Sequence, residues 1–385
     1  LGWIIEVHAK DSSMIQVQPT QLAEIDHERV GVFSASNPNL IINAGGYDIQ
    51  SHSSVNSIEL LKLDHTDKAK WESIPWTKAR SWGATVQWGN DIILIGGVDD
   101  KGVVSSTVTR LHLNGSEVEL GELLPLPHPI AACGAAILGN TLYVVCGLRS
   151  LDANHAENAL WALDLSHRDS KWIELEPLPG NGRFIPIVVA QYDVLHVIGG
   201  REIATTSQGR HVYKALNESW VYRSIPLEST TQRGWQRRTN APRYMAAGSA
   251  APSGQSQILV LGYDVTESVY TPLALGAYNK QSICLYNTVT DSWVDTHTLV
   301  PNVDARIVQD FSGSCFVLGG IGSKSIAHVT PMRTVRNLAW IDYIVIAAYF
   351  ACMALIGLHF SRKQETSADF SLGNRKVAWW AAGIS

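Results

Sequence analysis

Leu40-Ile41-Ile42-Asn43-Ala44-Gly45-Gly46 is the first of six stretches in which a run of aliphatic and β-branched residues stops at glycine. The others are Ile92-Ile93-Leu94-Ile95-Gly96-Gly97, Leu142-Tyr143-Val144-Val145-Cys146-Gly147, Leu195-His196-Val197-Ile198-Gly199-Gly200, Ile258-Leu259-Val260-Leu261-Gly262-Tyr263 and Cys315-Phe316-Val317-Leu318-Gly319-Gly320. Each run has the composition of a buried strand. The glycines let the backbone turn at the strand end with positive φ and no Cβ clash. The first positions of the closing pairs lie 51, 50, 53, 63 and 57 residues apart. A period near fifty, with strand signals throughout, points to an all-β chain folded as a propeller of about six blades.

Each repeat carries more than its glycines. About sixteen residues earlier a short strand begins at arginine in most copies, as in Arg29-Val30-Gly31-Val32, Arg80-Ser81-Trp82-Gly83 and Arg183-Phe184-Ile185-Pro186. Some 23 to 36 residues after the pair comes a strand tryptophan: Trp71, Trp172, Trp235 and Trp293. Turns rich in Pro, Gly and Asn separate these pieces, giving four short strands per repeat. The pattern resembles the Kelch family and implies a six-bladed Kelch β-propeller over residues 12–330.

Composition narrows the function classes. Thirty Lys and Arg against 35 Asp and Glu give a net charge of −5. With no basic helix and no stacking platform, nucleic acid is not an expected partner. The five cysteines are Cys133, Cys146, Cys284, Cys315 and Cys352. They form no CxxC pair, so no metal site is expected. Cys133 and Cys146 fall on neighbouring strands, and buried thiols are the expected state.

Both ends depart from the repeat. Leu1-Gly2-Trp3-Ile4-Ile5, followed by Val7-His8-Ala9, reads either as the tail of a signal peptide or as a leading strand, which sets residues 1–11 apart. Met14-Ile15-Gln16-Val17-Gln18 alternates as a strand does, while the last blade runs out after its third strand. The leading strand is therefore expected to complete the last blade and leave no free sheet edge.

From about Pro331 the character changes. Ile341 to Phe360 is a run of largely apolar residues, twenty long, or roughly 30 Å of helix. Trp340 and Tyr343 stand where an interfacial belt would place them. This predicts a transmembrane α-helix, with a buried core helix as the competing reading. A second apolar stretch begins at Val377-Ala378-Trp379-Trp380. The segment Asp342-Tyr343-Ile344-Val345, then Ser367-Ala368-Asp369-Phe370-Ser371-Leu372-Gly373-Asn374-Arg375 and Trp379-Trp380-Ala381-Ala382-Gly383-Ile384-Ser385, resembles the opening of the sodium/solute symporter family. The resemblance implies that residues 331–385 are a linker, the first helix and the start of a second helix of a truncated membrane domain. It further implies Na+ as cofactor of the missing transporter part, the lipid bilayer as partner, and a cell (inner) membrane location with the propeller on the periplasmic or extracellular side. No cofactor is expected for the propeller itself.

In a propeller the start of each first strand and the end of each second strand share one face. Arg29, Arg80, Arg183, Arg243 and Arg306 are expected at first-strand starts, with Pro129-Ile130 in the third blade. Tyr47, Asp48, Asp99, Arg149, Arg201, Glu202 and Asp264 follow the glycine pairs on that face. A ring of guanidinium groups suits an anionic ligand, because the planar fork matches a carboxylate. The competing reading is that such arginines bridge neighbouring elements and hold the ring together.

A second resemblance covers residues 14–330. Pro125-Leu126-Pro127 with Ala131-Ala132-Cys133-Gly134-Ala135, Leu160-Trp161-Ala162-Leu163-Asp164-Leu165, and Ala250-Ala251-Pro252-Ser253-Gly254-Gln255-Ser256-Gln257 look like the N-acetylneuraminate epimerases (sialic acid mutarotases) in cyclically permuted form. The resemblance implies interconversion of sialic acid anomers, with a carbohydrate acid as ligand and Arg29, Arg80, Arg183, Arg201, Arg243 and Arg306 as ligand-binding residues. Mutarotation needs one group to take the anomeric hydroxyl proton and another to protonate the ring oxygen. The family's acid–base glutamate follows a blade glycine, but the matching segment here reads Gly319-Gly320-Ile321-Gly322-Ser323-Lys324-Ser325. Ile321 replaces that glutamate, and Glu202 in another blade is the nearest catalytic substitute. Three functions follow: a mutarotase feeding its transporter, an inactive sugar-capturing domain, or a protein-binding Kelch module. Nothing in the sequence resembles the Tyr, Tyr, His, His and Cys cluster of a copper oxidase.

Overall fold

The computed structural model describes residues 15–20, 23–25, 28–37, 39–48, 50–63, 70–114, 117–224, 233–263, 281–300, 306–309, 315–318, 326–331 and 340–361. The chain divides into two compact units, Leu1–Met332 and Arg333–Ser385.

The first unit is a β-propeller of six four-stranded antiparallel sheets. Its innermost strands are Phe33–Ser36, Ala84–Trp88, Gly134–Leu138, Ile187–Gln191, Ala246–Ser253 and Arg306–Gln309. Each inner strand touches the inner strands of both neighbouring blades, and the last touches the first, so the ring is closed. Blade 6 is completed from the far end of the sequence. Ile15–Pro19 pairs antiparallel with Ala327–Pro331, from Ile15 opposite Pro331 to Pro19 opposite Ala327. The strand lies one residue later than the expected Met14–Gln18. The hydroxyl and N–H of Thr20 both donate to Ile326 O, at 2.9 and 3.0 Å, and extend the seam.

The core lies between blades, and this explains the unbroken apolar second strands. In Leu40–Ala44, Leu40 and Ile42 pack with Ile92 and Leu94 of blade 2. Ile41 points the other way, to Val308 and Leu318 of blade 6. In blade 2, Ile92 and Leu94 face blade 1 while Ile93 and Ile95 face Leu142 and Val144 of blade 3. A strand buried on both faces needs apolar residues at every position, because successive side chains alternate.

The glycine pairs have a specific task. Gly45, Gly96 and Gly199 have φ of +59°, +58° and +59°, and Cys146 takes the equivalent position with φ +62°. The residue after each sends its N–H to the next blade: Gly46 to Arg80 O (3.0 Å), Gly97 to Ile130 O (2.8 Å), Gly147 to Arg183 O (2.8 Å) and Gly200 to Met245 O (2.7 Å). The outer-strand tryptophans do the same at the rim. The indole N–H groups of Trp172, Trp235 and Trp293 donate to Leu124 O, Glu176 O and Thr239 O of the preceding blade, at 3.2, 2.8 and 2.9 Å.

A further inter-blade chain runs along the start of the inner strands. Gly31, Trp82, Ala132, Ile185 and Ala247 all have positive φ, between +48° and +62°. Trp82 N–H donates to Gly31 O (2.8 Å), Ala132 to Trp82 O (2.6 Å), Ile185 to Ala132 O (2.6 Å) and Ala247 to Ile185 O (3.0 Å). Five blades are thereby joined main chain to main chain around the axis.

The second unit contains one helix among the described residues, Trp340–Ser361, of 22 residues. The side chains described within it are Trp340 and those from Tyr343 to Leu358, and all are exposed. Among the described residues no helix is long and apolar enough to cross a membrane. The expected span Ile341 to Phe360 is therefore not shown. Residues 1–11 and the start of the expected second helix lie outside the described residues.

Candidate functional site

The arginines that open the blades turn inward to their own sheets. Arg29 donates from Nη1 to Gly45 O at 3.0 Å and forms an ion pair through Nη2 with Glu59. Arg183 repeats this, with Gly199 O at 3.1 Å and Glu218 Oε2 at 2.9 Å. Arg80 donates to Gly96 O (2.8 Å), Thr107 O (2.6 Å) and Thr109 Oγ1 (2.8 Å). No carboxylate among the described residues lies within ion-pair reach of Arg80, and its guanidinium sits beside the rings of Trp76 and Phe33, at 5.5 and 5.9 Å. Burial pulls its pKa down to about 10. In each case the guanidinium ties the end of the second strand to the third strand. These three arginines and Arg201 are only 1–2 % exposed.

Of the two remaining ring members, Arg243 stands elsewhere and Arg306 opens its inner strand as expected. The main-chain bond from Gly200 places Met245, not Arg243, at the blade-opening position of blade 5. Arg243 instead holds Ser282 Oγ (2.5 Å) and Asp295 Oδ2 (2.8 Å). Burial opposes ionisation of Asp295. Its bonds from His297 N–H and Ser282 and the nearby Arg243 outweigh that and keep its pKa low. Arg306 begins the inner strand of blade 6, half-exposed, with Nη1 donating to Gly248 O at 3.1 Å.

Arg306 lines an axial cavity of about 150 Å³ to which all six blades contribute. Its wall includes Val32, Ser34, Thr85, Cys133, Val188 and Ser249, and Arg306 is its one charged residue among those described. Of the six arginines expected at the ligand, the axial cavity therefore reaches one. Small-molecule sites usually enclose roughly 300–1,000 Å³. The axial space suits a carboxylate-sized group or ordered water.

Glu202 lies in the hairpin Arg201–Thr205 with His211–Ala215, where it is held by Asn181 Nδ2 (2.9 Å) and Lys214 Nζ (3.6 Å). Ile321 and Asp264 lie outside the described residues. The propeller cysteines Cys133, Cys146, Cys284 and Cys315 are buried thiols outside any disulfide. Burial pushes the thiols of Cys133, Cys146 and Cys284 up to about 12.

A larger cavity, about 870 Å³, opens among the loops that follow the glycine pairs. Val30, Tyr47, Trp82, Val98 and Leu151 form its apolar side, and His52, Ser53, Ser54, Ser81, Asp99 and Asp100 its polar side. Of these, sequence reasoning singled out Tyr47 and Asp99 as residues of that face. Ser81 and Trp82 were legible only as part of the repeated segment Arg80-Ser81-Trp82-Gly83, and His52 gave no signal because a turn brings it to the cavity.

No family model matches this chain. Over 50 residues it is 40% identical to the sodium/sialic acid symporter SiaT of Proteus mirabilis (strain HI4320), a match covering 13% of this chain and 10% of that protein. The matched stretch thus spans about a tenth of the curated relative's length. Among solved structures the chain is similar to that of YjhT, with a TM-score of 0.60 and 14% identity over 83% of this chain and 98% of that one. The first likeness ties a short stretch to a sialic acid symporter, and the second is a likeness of fold, that of a propeller.

Proposed function

We propose that the propeller is an extracytoplasmic sugar-acid domain, mutarotase-like, attached to a sodium-coupled solute transporter whose opening is residues 331–385. One observation carries this reading: a six-bladed propeller and a stretch 40% identical to a sodium/sialic acid symporter occur in one chain. In this reading Arg306 is the anion anchor, because it is half-buried and is the one charged residue lining the axial cavity among those described. Na+ belongs to the transporter part, not to the propeller.

The membrane reading of Trp340–Ser361 rests on two features. Twenty-two residues give about 33 Å of rise. Ile344, Val345, Phe350, Leu355 and Leu358 are all more than half exposed. A helix that is apolar all round and unburied needs a lipid or protein partner. Cysteine-accessibility labelling of the propeller tests the sidedness.

A second reading, capture without turnover, is favoured by one specific feature. Both carboxylate oxygens of Glu202 are already engaged, by Asn181 and Lys214, and Glu202 is the nearest substitute for the missing glutamate. Proton NMR of sialic acid anomer exchange, with and without protein, separates the two. Acceleration supports the mutarotase, and calorimetric binding without acceleration supports capture. If N-acetylneuraminate does not bind at all, both are refuted and the protein-binding module remains.

A further inference from the structure

The 870 Å³ cavity is lined by polar groups that the described fold leaves unused. Ser81 is 4% exposed, and its hydroxyl makes no hydrogen bond to the described residues. Trp82 is 9% exposed, and its indole N–H likewise has no partner among them. Neither group is sealed from solvent, so both are free to donate to a ligand or to water in the cavity.

The wall is rigid. Trp82 is fixed at φ +59° by main-chain bonds on both sides, from its N–H to Gly31 O and from Ala132 N–H to its own carbonyl. Its ring lies against Gly31, where a Cβ would stand 2.8 Å from Trp82 Cδ2. Asp99 is fixed as well, because Oδ1 accepts from the N–H groups of Lys101 (2.9 Å) and Val103 (2.8 Å). Oδ2 makes no bond within that turn.

Charge selects the ligand. Among the described residues Asp99 and Asp100 are the lining carboxylates, His52 and Tyr47 are the other titratable groups, and no lysine or arginine lines the cavity. An anion would meet two like charges with no counter-charge. An aromatic and aliphatic side faces a side of hydroxyls and carboxylates, which is the arrangement a sugar ring needs: CH groups against aromatics, hydroxyls and amine against polar atoms.

We propose that this cavity is a second ligand site, separate from the axial one, and that it takes an amine-bearing sugar. The ammonium group lies toward Asp99 and Asp100, and ring hydroxyls or the ring oxygen accept from Trp82 and Ser81. The site does not depend on the sugar-acid reading, since it excludes sugar acids by charge.

The test uses the full chain, with glucosamine, N-acetylglucosamine and N-acetylneuraminate as probes at neutral pH, followed by calorimetry and saturation-transfer NMR. Glucosamine is expected to bind more tightly than the other two to this site. Asp99→Asn/Asp100→Asn is expected to weaken it about tenfold, and Trp82→Phe, which keeps the ring but not the N–H, by several-fold. Melting temperatures of each variant separate loss of the site from loss of the fold. Absence of glucosamine binding, equal affinity in the Asp double variant, or displacement by N-acetylneuraminate each overturns the proposal. Arg306→Ala is expected to leave glucosamine binding unchanged, so failure of the axial reading and failure of this one give different patterns.

Discussion

Gly96→Ala and Gly89→Ala form a matched pair that measures how much one inter-blade main-chain contact contributes. The two glycines have almost the same backbone, φ +58° and +57°. A Cβ at Gly89 would meet nothing within 4 Å. At Gly96 it would fall well inside 3.0 Å of Ile130 O, an approach real Cβ atoms essentially never make. That oxygen also accepts the 2.8 Å bond from Gly97 N–H. Relieving the clash moves blade 3 away, and a retreat of about half an ångström takes the bond past the roughly 3.2 Å limit of good geometry. Both variants carry the left-handed penalty of about 1–2 kcal/mol. Gly96→Ala adds about 0.5–1.5 kcal/mol for the bond and about 1–3 kcal/mol for the buried groups left unpaired. Thermal unfolding followed by circular dichroism is expected to show a melting temperature lowered by a few degrees in Gly89→Ala and by about three times as much in Gly96→Ala. Equal shifts in the two variants would refute the reasoning, because the contact with blade 3 would then contribute nothing.

Four further outcomes follow from the same structure. His196, buried against Tyr286, has its pKa lowered to about 4 by burial and by Arg238 and Arg223. Its folded value is below the ordinary 6.5, so the stability tied to its neutral form is present above that pH and is lost as pH falls from 6.5 toward 4, on the order of 3 kcal/mol in all. His196→Leu should flatten denaturation midpoints across that window, and an unchanged pH dependence would exclude His196 as the source. Arg183→Ala should lower stability by about 2–3 kcal/mol, below the usual range for a buried pair because Glu218 is one-third exposed. Arg306→Ala should leave melting nearly unchanged yet weaken N-acetylneuraminate about ten- to a hundredfold in calorimetry; the opposite pattern would exchange their roles. Alkylation of the native protein in detergent should modify Cys352 alone, since Cys133, Cys146, Cys284 and Cys315 are buried; mass spectrometry showing early modification of a propeller thiol would contradict this.

The propeller was legible because its signals are local. A strand buried on both faces writes an unbroken apolar run such as Ile92-Ile93-Leu94-Ile95, and the close approach of the next blade writes glycine after it. The arginines were legible as positions but not as roles. Arg29 and Arg183 stand where expected, yet their partners Glu59 and Glu218 lie 30 and 35 residues away, on strands whose register the sequence does not display. In blade 5 Arg243 was expected although it lies nineteen residues before the glycine rather than sixteen, and the backbone puts Met245 at that place, just before the register shift in Ala246–Ser253. The left-handed positions were invisible for another reason. Trp82, Ala132 and Ile185 are residue types that do not announce positive φ, and only the bonds to the next blade hold them there.

That chain of linked carbonyls and amides also bears on sequence drift. A joint made by side chains is lost when either partner mutates, so both positions must be kept. A joint made by peptide groups survives any substitution that leaves the backbone path intact. Gly31, Trp82, Ala132, Ile185 and Ala247 share one geometry with four different residue types. A ring fastened in this way can exchange the residues around its mouth, and with them its specificity, without loosening. The 14% identity that accompanies a shared fold with YjhT is what such tolerance would produce.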